Sequence, residues 1–240
     1  MRFLLILLCV IAASTITSCH YFHGERVHGD GNVISQNRAI TDFNKVDVSS
    51  AIELYITQDA NYAVKVETDN NLQPYVEIYK EGDVLHVHQK NNISLDPTGS
   101  LKVYVSMPTL RELEVSGACE VKGLSKITST EAIDINVSGA SRITLDITAP
   151  DIELDLTGAS SAELRGQTKD LSIDGSGSSD IRAFELLSEN TRVSMSGAGH
   201  ADVYASVKLD AHASGASEII YKGNGSMSAN TSGASSVKKQ

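Results

Sequence analysis

From about residue 110 onward the chain alternates apolar and polar residues in short runs. Leu113 and Val115, Ile135 and Val137, Leu154 and Leu156, Ile173 and Gly175, Val193 and Met195, Ala211 and Ala213, and Ala229 and Thr231 each stand two apart. Glu112, Glu114, Asp134, Asn136, Glu153, Asp155, Ser172, Asp174, Asp210 and His212 lie between or before them. Period two marks a strand with one buried face and one wet face. Each run breaks at a small-residue turn: Ser116-Gly-Ala-Cys119, Ser138-Gly-Ala-Ser141, Thr157-Gly-Ala-Ser160, Ser176-Gly-Ser-Ser179, Ser196-Gly-Ala-Gly199, Ser214-Gly-Ala-Ser217 and Ser232-Gly-Ala-Ser235. An apolar residue returns four positions after each glycine, at Val121, Ile143, Ala162, Ile181, Ala201, Ile219 and Val237. The predicted unit is a strand, a tight turn, a second strand and a looser return.

The turn glycines are Gly117, Gly139, Gly158, Gly177, Gly197, Gly215 and Gly233, in steps of 22, 19, 19, 20, 18 and 18 residues. A repeat near twenty residues implies one supersecondary unit stacked on itself. The fold class is therefore all-β, a β-solenoid with rungs of about 18–22 residues. Steps that wander suit a right-handed parallel β-helix better than a hexapeptide helix of constant period. Glycine accepts φ > 0 in the turn, and the alanine beside it is expected to point into a stacked corner that a bulkier residue would overpack. The core is expected to thin toward the C-terminus, where Ala211, Ala213, Met227, Ala229 and Thr231 replace Ile, Leu and Val.

Residues 32–107 carry longer, more aromatic strands, such as Ala51–Ile56, Tyr75–Tyr79 and Leu101–Val105, separated by turn signals at Asp69-Asn-Asn71 and Glu81-Gly-Asp83. Val48-Ser-Ser-Ala-Ile52 reads as a degenerate corner, so the solenoid is expected to start there, with hairpins covering its first end. Before it, residues 19–31 are polar and His-rich, which predicts a tether. Residues 108–240 hold the repeats.

Arg2, the apolar run Phe3–Ala13 and the ending Ile16-Thr-Ser-Cys19 form a secretory signal over residues 1–18, too short to span a membrane. The ending resembles the lipobox of bacterial lipoproteins. The resemblance implies that Cys19 is acylated, that the membrane is a partner through that lipid, and that the protein sits in the bacterial cell envelope, at the outer membrane. Cys9 leaves with the signal, so Cys119 has no disulfide partner and reads as a structural stand-in for serine.

Asp30-Gly-Asn-Val33, Val48-Ser-Ser-Ala-Ile-Glu-Leu-Tyr-Ile-Thr-Gln58 and the Ser-Gly-Ala series together resemble the putative auto-transporter adhesin, head GIN domain family. The resemblance spans residues 30–238, with Ser50, Cys119 and Ser178 as mild departures. It implies an envelope protein, often a lipoprotein, with a right-handed β-helical fold, a role in adhesion and no agreed catalytic residues.

The chain has 20 Lys and Arg against 30 Asp and Glu, a formal net charge of −10, and loss of the signal removes one further cation. That excludes nucleic acid and an anionic lipid face as partners. With no tryptophan and 5% aromatic residues, a sugar-stacking cleft has little to build on. Glu114, Asn136, Asp155 and Asp174 form a candidate binding face. A cation there lacks the calcium-binding glycine–aspartate repeat, and no metal or other cofactor is expected. His86 and His88 share a strand face but have no third ligand, and solvated strand histidines are expected; His20, His23 and His28 read as bystanders. Arg142, Arg165, Arg182 and Arg192 fall at different offsets from their glycines, so the basic cluster of a polysaccharide lyase is not expected, and no catalytic motif is present. The expectation is a non-enzymatic adhesion module that meets a glycan or a protein. A structural envelope protein, or less favourably a β-helical lyase or hydrolase, is the alternative. Solenoid ends and faces also allow self-association, end to end or face to face.

Overall fold

The computed structural model describes residues 24–240. The signal and Cys19, with His20 and His23, lie outside the described residues. In chain order the strands are β1 (Glu25–His28), β2 (Val33–Arg38), β3 (Lys45–Val48), β4 (Glu53–Gln58), β5 (Ala63–Asp69), β6 (Val76–Glu81), β7 (Val84–Gln89), β8 (Ile93–Asp96) and β9 (Lys102–Met107). The repeats supply β10 (Glu112–Val115), β11 (Glu120–Gly123), β12 (Ile127–Thr128), β13 (Ile133–Val137), β14 (Arg142–Leu156), β15 (Ser161–Gly175), β16 (Asp180–Met195), β17 (His200–Tyr204), β18 (Lys208–Ala213), β19 (Glu218–Lys222), β20 (Ser226–Thr231) and β21 (Ser236–Lys239).

These strands stack in parallel as a β-solenoid with two principal faces. The first face runs β7, β3, β10, β13, then the second halves of β14, β15 and β16, then β18 and β20. The second runs β9, β4, β11, then the first halves of β14, β15 and β16, then β17, β19 and β21. In the middle rungs one long strand bends from the second face to the first. The uneven repeat has local causes. The 22-residue step carries a long return from Leu124 to Ala132, and the 20-residue step holds a register shift between Glu163 and Arg165, where β16 spends one more residue than β15.

Stacking order departs from chain order at the first end. The segment 59–111 folds back under β3 and β4, so β7 and β9 lie beneath them while β10 and β11 lie above. Antiparallel β6 then covers β7, and antiparallel β5 and β2 cover β9. This is the hairpin covering that an otherwise open strand edge calls for. The tether expected over 19–31 is corrected in part: Glu25–His28 is a strand, parallel to β8. Arg26 and His28 both reach Asp96, at 3.0 and 2.6 Å, and Gly29 N–H donates to Asp96 O. Asp96 therefore gathers a polar segment that has no alternation of its own.

Inward residues stack in register. Val48, Val115, Val137, Leu156, Gly175, Met195 and Ala213 follow one another along the first face and are all buried. Each buried aliphatic side chain contributes about 1.5–3 kcal/mol. The core thins as expected: Ala211 and Ala213 are buried, whereas Met227, Ala229 and Thr231 of the last rung are exposed.

The turn differs from the expectation. Ala118, Ala140 and Ala159 are exposed, and the fourth residue points inward instead: Cys119, Ser141, Ser160, Ser179 and Ser217 are 1–2% exposed. In three of the turns the inward hydroxyl closes its own turn, whereas Ser141 Oγ donates to Gly117 O of the rung below at 3.3 Å and Ser179 Oγ is buried without a partner. Ser160 Oγ donates to Thr157 O at 2.8 Å, Ser217 Oγ to Ser214 O at 2.9 Å and Ser235 Oγ to Ser232 O at 2.9 Å. Cys119 Sγ makes the same bond to Ser116 O at 3.3 Å. The glycine is set by the rung below. All seven turn glycines have φ between 76° and 90°, and a Cβ on any of them would come within 3 Å of the carbonyl oxygen of the preceding turn. Ser50 begins this column with φ 86°, and its carbonyl accepts from Ala118 N–H. Beneath it β7 ends at Gln89, whose N–H donates to Ser50 Oγ at 3.4 Å, so the Ser50 side chain meets no glycine carbonyl.

Candidate binding groove

Glu114, Asn136, Asp155 and Asp174 are in-register neighbours on four successive rungs of the first face. The row continues below to Asp47 and His86, and above to Ser194, His212 and Asn230. Parallel pairing spaces such neighbours about 4.8 Å apart. Sequence reasoning missed the extensions, although the signal was present. Asp47, Ser194, His212 and Asn230 each stand three residues before a corner residue, at the offset that Glu114 keeps from Gly117.

Beside this row runs a second, of turn hydroxyls: Ser116, Ser138, Thr157, Ser176, Ser196, Ser214 and Ser232. Ser138, Ser196 and Ser214 donate only long bonds, 3.4–3.5 Å, to the carbonyl of the rung below, which leaves their lone pairs free. The two rows flank a groove. Its larger part, about 610 Å³, runs from Asn136 to Asn230 with Gly175, Met195 and Ala213 in its floor. A smaller part of about 200 Å³ continues to Asp47 and Glu114, and the parts share Asn136, Asp155 and Thr157.

The carboxylates are electrostatically stressed. Burial first, then Asp47 and Glu112, push the Glu114 carboxyl above its ordinary range. Burial first, then Asp174 and Asp134, do the same to Asp155. Among the described residues no group of three or more His, Cys, Asp or Glu is placed to hold a metal ion.

His86 and His88 are less solvated than expected, each side chain being 21% exposed. His86 Nδ1 lies 2.9 Å from Asp47 Oδ2 and its ring stacks on Tyr79, whose edge meets His88. His28, expected to be a bystander, is held by Asp96. The arginines also need correction. Arg142, Arg165 and Arg182 do come to one face, the second, around Glu163, while Arg192 lies on the first. Their offsets of three, seven and five from Gly139, Gly158 and Gly177 are all odd, so strand alternation turns all three outward on neighbouring rungs. Arg165 is held by Glu163 at 2.8 Å, Arg182 by Asp180 at 2.9 Å, and Arg142 Nε donates to Ser161 Oγ at 3.1 Å. Burial pushes the Cys119 thiol up, so it stays protonated in its turn.

Residues 42–225 match the model of a family described as putative auto-transporter adhesin, head GIN domain. A solved putative adhesin from Bacteroides fragilis NCTC 9343 has the same fold, with a TM-score of 0.85 at 20% identity over 89% of this chain and 100% of that one. A putative lipid binding protein from Parabacteroides distasonis ATCC 8503 aligns with a TM-score of 0.75 at 26% identity, over 90% and 100% of the two chains. A putative adhesin from the same organism gives 0.69 at 26% identity, again over 90% and 100%. No curated protein matches the chain.

Proposed function

The chain belongs to the putative auto-transporter adhesin, head GIN domain family, and from that premise we propose that it is a non-enzymatic adhesion module of the bacterial cell envelope. It is anchored through an acylated Cys19 and binds through the groove between the Glu114–Asn230 row and the turn hydroxyls. The observation that carries this reading is the register. One polar contact recurs on each rung, so an elongated partner makes many weak contacts whose strengths multiply.

The direction of the chain supports the anchoring. β1 enters at the covered end of the solenoid, beside β8. Five residue steps separate Cys19 from Gly24, a reach of at most about 18 Å. An acylated Cys19 therefore keeps the covered end within that reach of the bilayer. No helix among the described residues is long and apolar enough to cross a membrane. Burial of the Cys119 thiol in its turn keeps it from serving as a nucleophile.

The test pairs protease and antibody access on intact cells with a glycan and matrix-protein array probed by the purified chain. Surface exposure with a selective hit supports adhesion. A periplasm-facing protein with a blank array refutes it and favours a structural envelope role.

A further inference from the structure

We propose that the groove takes an extended glycan that carries no acidic groups, laid along the solenoid axis across successive rungs. This rests on the groove being the adhesive surface. It goes further by assigning the ligand's chemistry and direction.

The direction follows from the shape. From Asp47 to Asn230 the groove crosses eight in-register rungs, about 34 Å at the spacing of paired strands. A compact ligand would use one or two rungs, whereas a chain uses all of them.

The chemistry follows from the walls. One wall is a row of carboxylates and amides, which accept hydrogen bonds or, in Asn136 and Asn230, also donate. The other is a row of hydroxyls, which do both. Between the walls the floor is backbone, because Gly175, Met195 and Ala213 turn inward to the core. A sugar ring offers at its rim the hydroxyls that both walls can bond. An extended peptide fits less well. Strand addition needs a free backbone edge, and β10, β13 and the second halves of β14–β16 are paired on both sides.

Charge sets the exclusion. No Lys or Arg lines either part of the groove, and its only imidazole, His212, is held by Asp210 at 3.2 Å. Asp47, Glu114, Asp155 and Asp174 line it, on a chain of net charge −10. A uronate, sulfate or phosphate polymer entering there meets like charge with no cation to offset it, which works against the wrong partner without any further contact. Arg142, Arg165 and Arg182, which could receive an acidic polymer, stand on the second face, and Arg192 on the first face lies outside the lining of the groove.

The experiment is calorimetric titration of the full chain in detergent with neutral oligomers of glucose, galactose, mannose and N-acetylglucosamine, with oligogalacturonate and with oligolysine. At least one neutral series binds, with affinity rising about tenfold or more from disaccharide to hexasaccharide. Thr157→Val with Ser176→Ala weakens that binding several-fold. Oligogalacturonate is refused by the native chain and admitted once Asp155→Asn and Asp174→Asn are combined. Four results overturn the inference: oligogalacturonate binding as tightly as any neutral oligomer, oligolysine binding best, no neutral oligomer binding, or no gain with length. An acidic glycan or a protein as the array's selective hit overturns this inference while leaving the adhesion reading standing. A buried protein with a blank array removes the adhesion reading itself.

Discussion

The Cε of Met195 lies 2.7 Å from where a Cβ on Gly199 would stand. Gly199 occupies the turn position that is serine in most repeats, and Gly175, one rung below Met195, occupies a position that is aliphatic in the early repeats. Met195 is thus one long side chain filling the space that two glycines vacate. Gly199→Ser forces Met195 to move and lowers stability by about 1–3 kcal/mol, the usual cost of overpacking a core. Met195→Val alone opens a cavity and also destabilises. Together the changes recover part of both losses, a coupling that a double-mutant cycle in urea reads directly. Strict additivity would refute the size exchange.

The turn column makes a sharper distinction between adjacent residues. Gly158 has φ 81°, and a Cβ there would lie 2.6 Å from Gly139 O. Gly158→Ala therefore costs more than about 2 kcal/mol, from left-handed backbone strain combined with the clash. Ala159 is exposed, so Ala159→Leu shifts stability by no more than about 0.5 kcal/mol. Thermal melts of the two variants should rank in that order, and the reverse ranking would mean the alanine is the inward residue.

Acid loosens the covered end. Asp69 accepts from Gly31 N–H at 2.8 Å, Thr98 N–H at 3.0 Å and Thr98 Oγ1 at 2.7 Å. Burial alone would raise its carboxyl, but the bonds from Thr98 and Gly31 outweigh it and hold the group below its ordinary value of 3.8. A depressed acid stabilises the fold fully above its unfolded value, and that contribution is lost as pH falls through the lower, folded one. Amide exchange at Gly31 and Thr98 should accelerate below about pH 3.8, and Asp69→Asn should show the fast exchange already at neutral pH. Protection that persists in Asp69→Asn would remove the carboxylate from this role.

Cys19→Ser separates the anchor from the fold. The substituted protein should appear in the soluble fraction with its thermal melt unchanged, because the described strands begin at Glu25. Retention in the membrane fraction would refute acylation as the anchor.

Much of this architecture is legible along the chain because the local rules repeat. Period-two alternation and a glycine every 18–22 residues specify stacked strands, and the fixed offset of three places Glu114, Asn136, Asp155 and Asp174 in one row. The orientation inside the turn is not legible, since alanine and serine are both small. The carbonyl of the rung below fixes the glycine before them at positive φ, and a single rung does not contain that carbonyl. β1 escapes for a related reason: Glu25–His28 is polar without alternation, and its partner Asp96 lies 70 residues from Arg26. The arginines of the second face are hidden because unequal offsets of three, five and seven suggest separation, although odd offsets alternate to the same outward side.

The placement of β7 and β9 beneath β3 and β4 governs the order in which the molecule can assemble. The first rung formed along the chain is an interior layer, closed only when residues 84–107 have arrived on one side and 112–123 on the other. A nascent chain shorter than that carries two bare strand edges and only long-range partners, a slow and aggregation-exposed state. Once past it, every later rung has a finished template to add to. Assembly is thus a delayed start followed by directional growth, and export that held back the first 120 or so residues until they could meet would favour it.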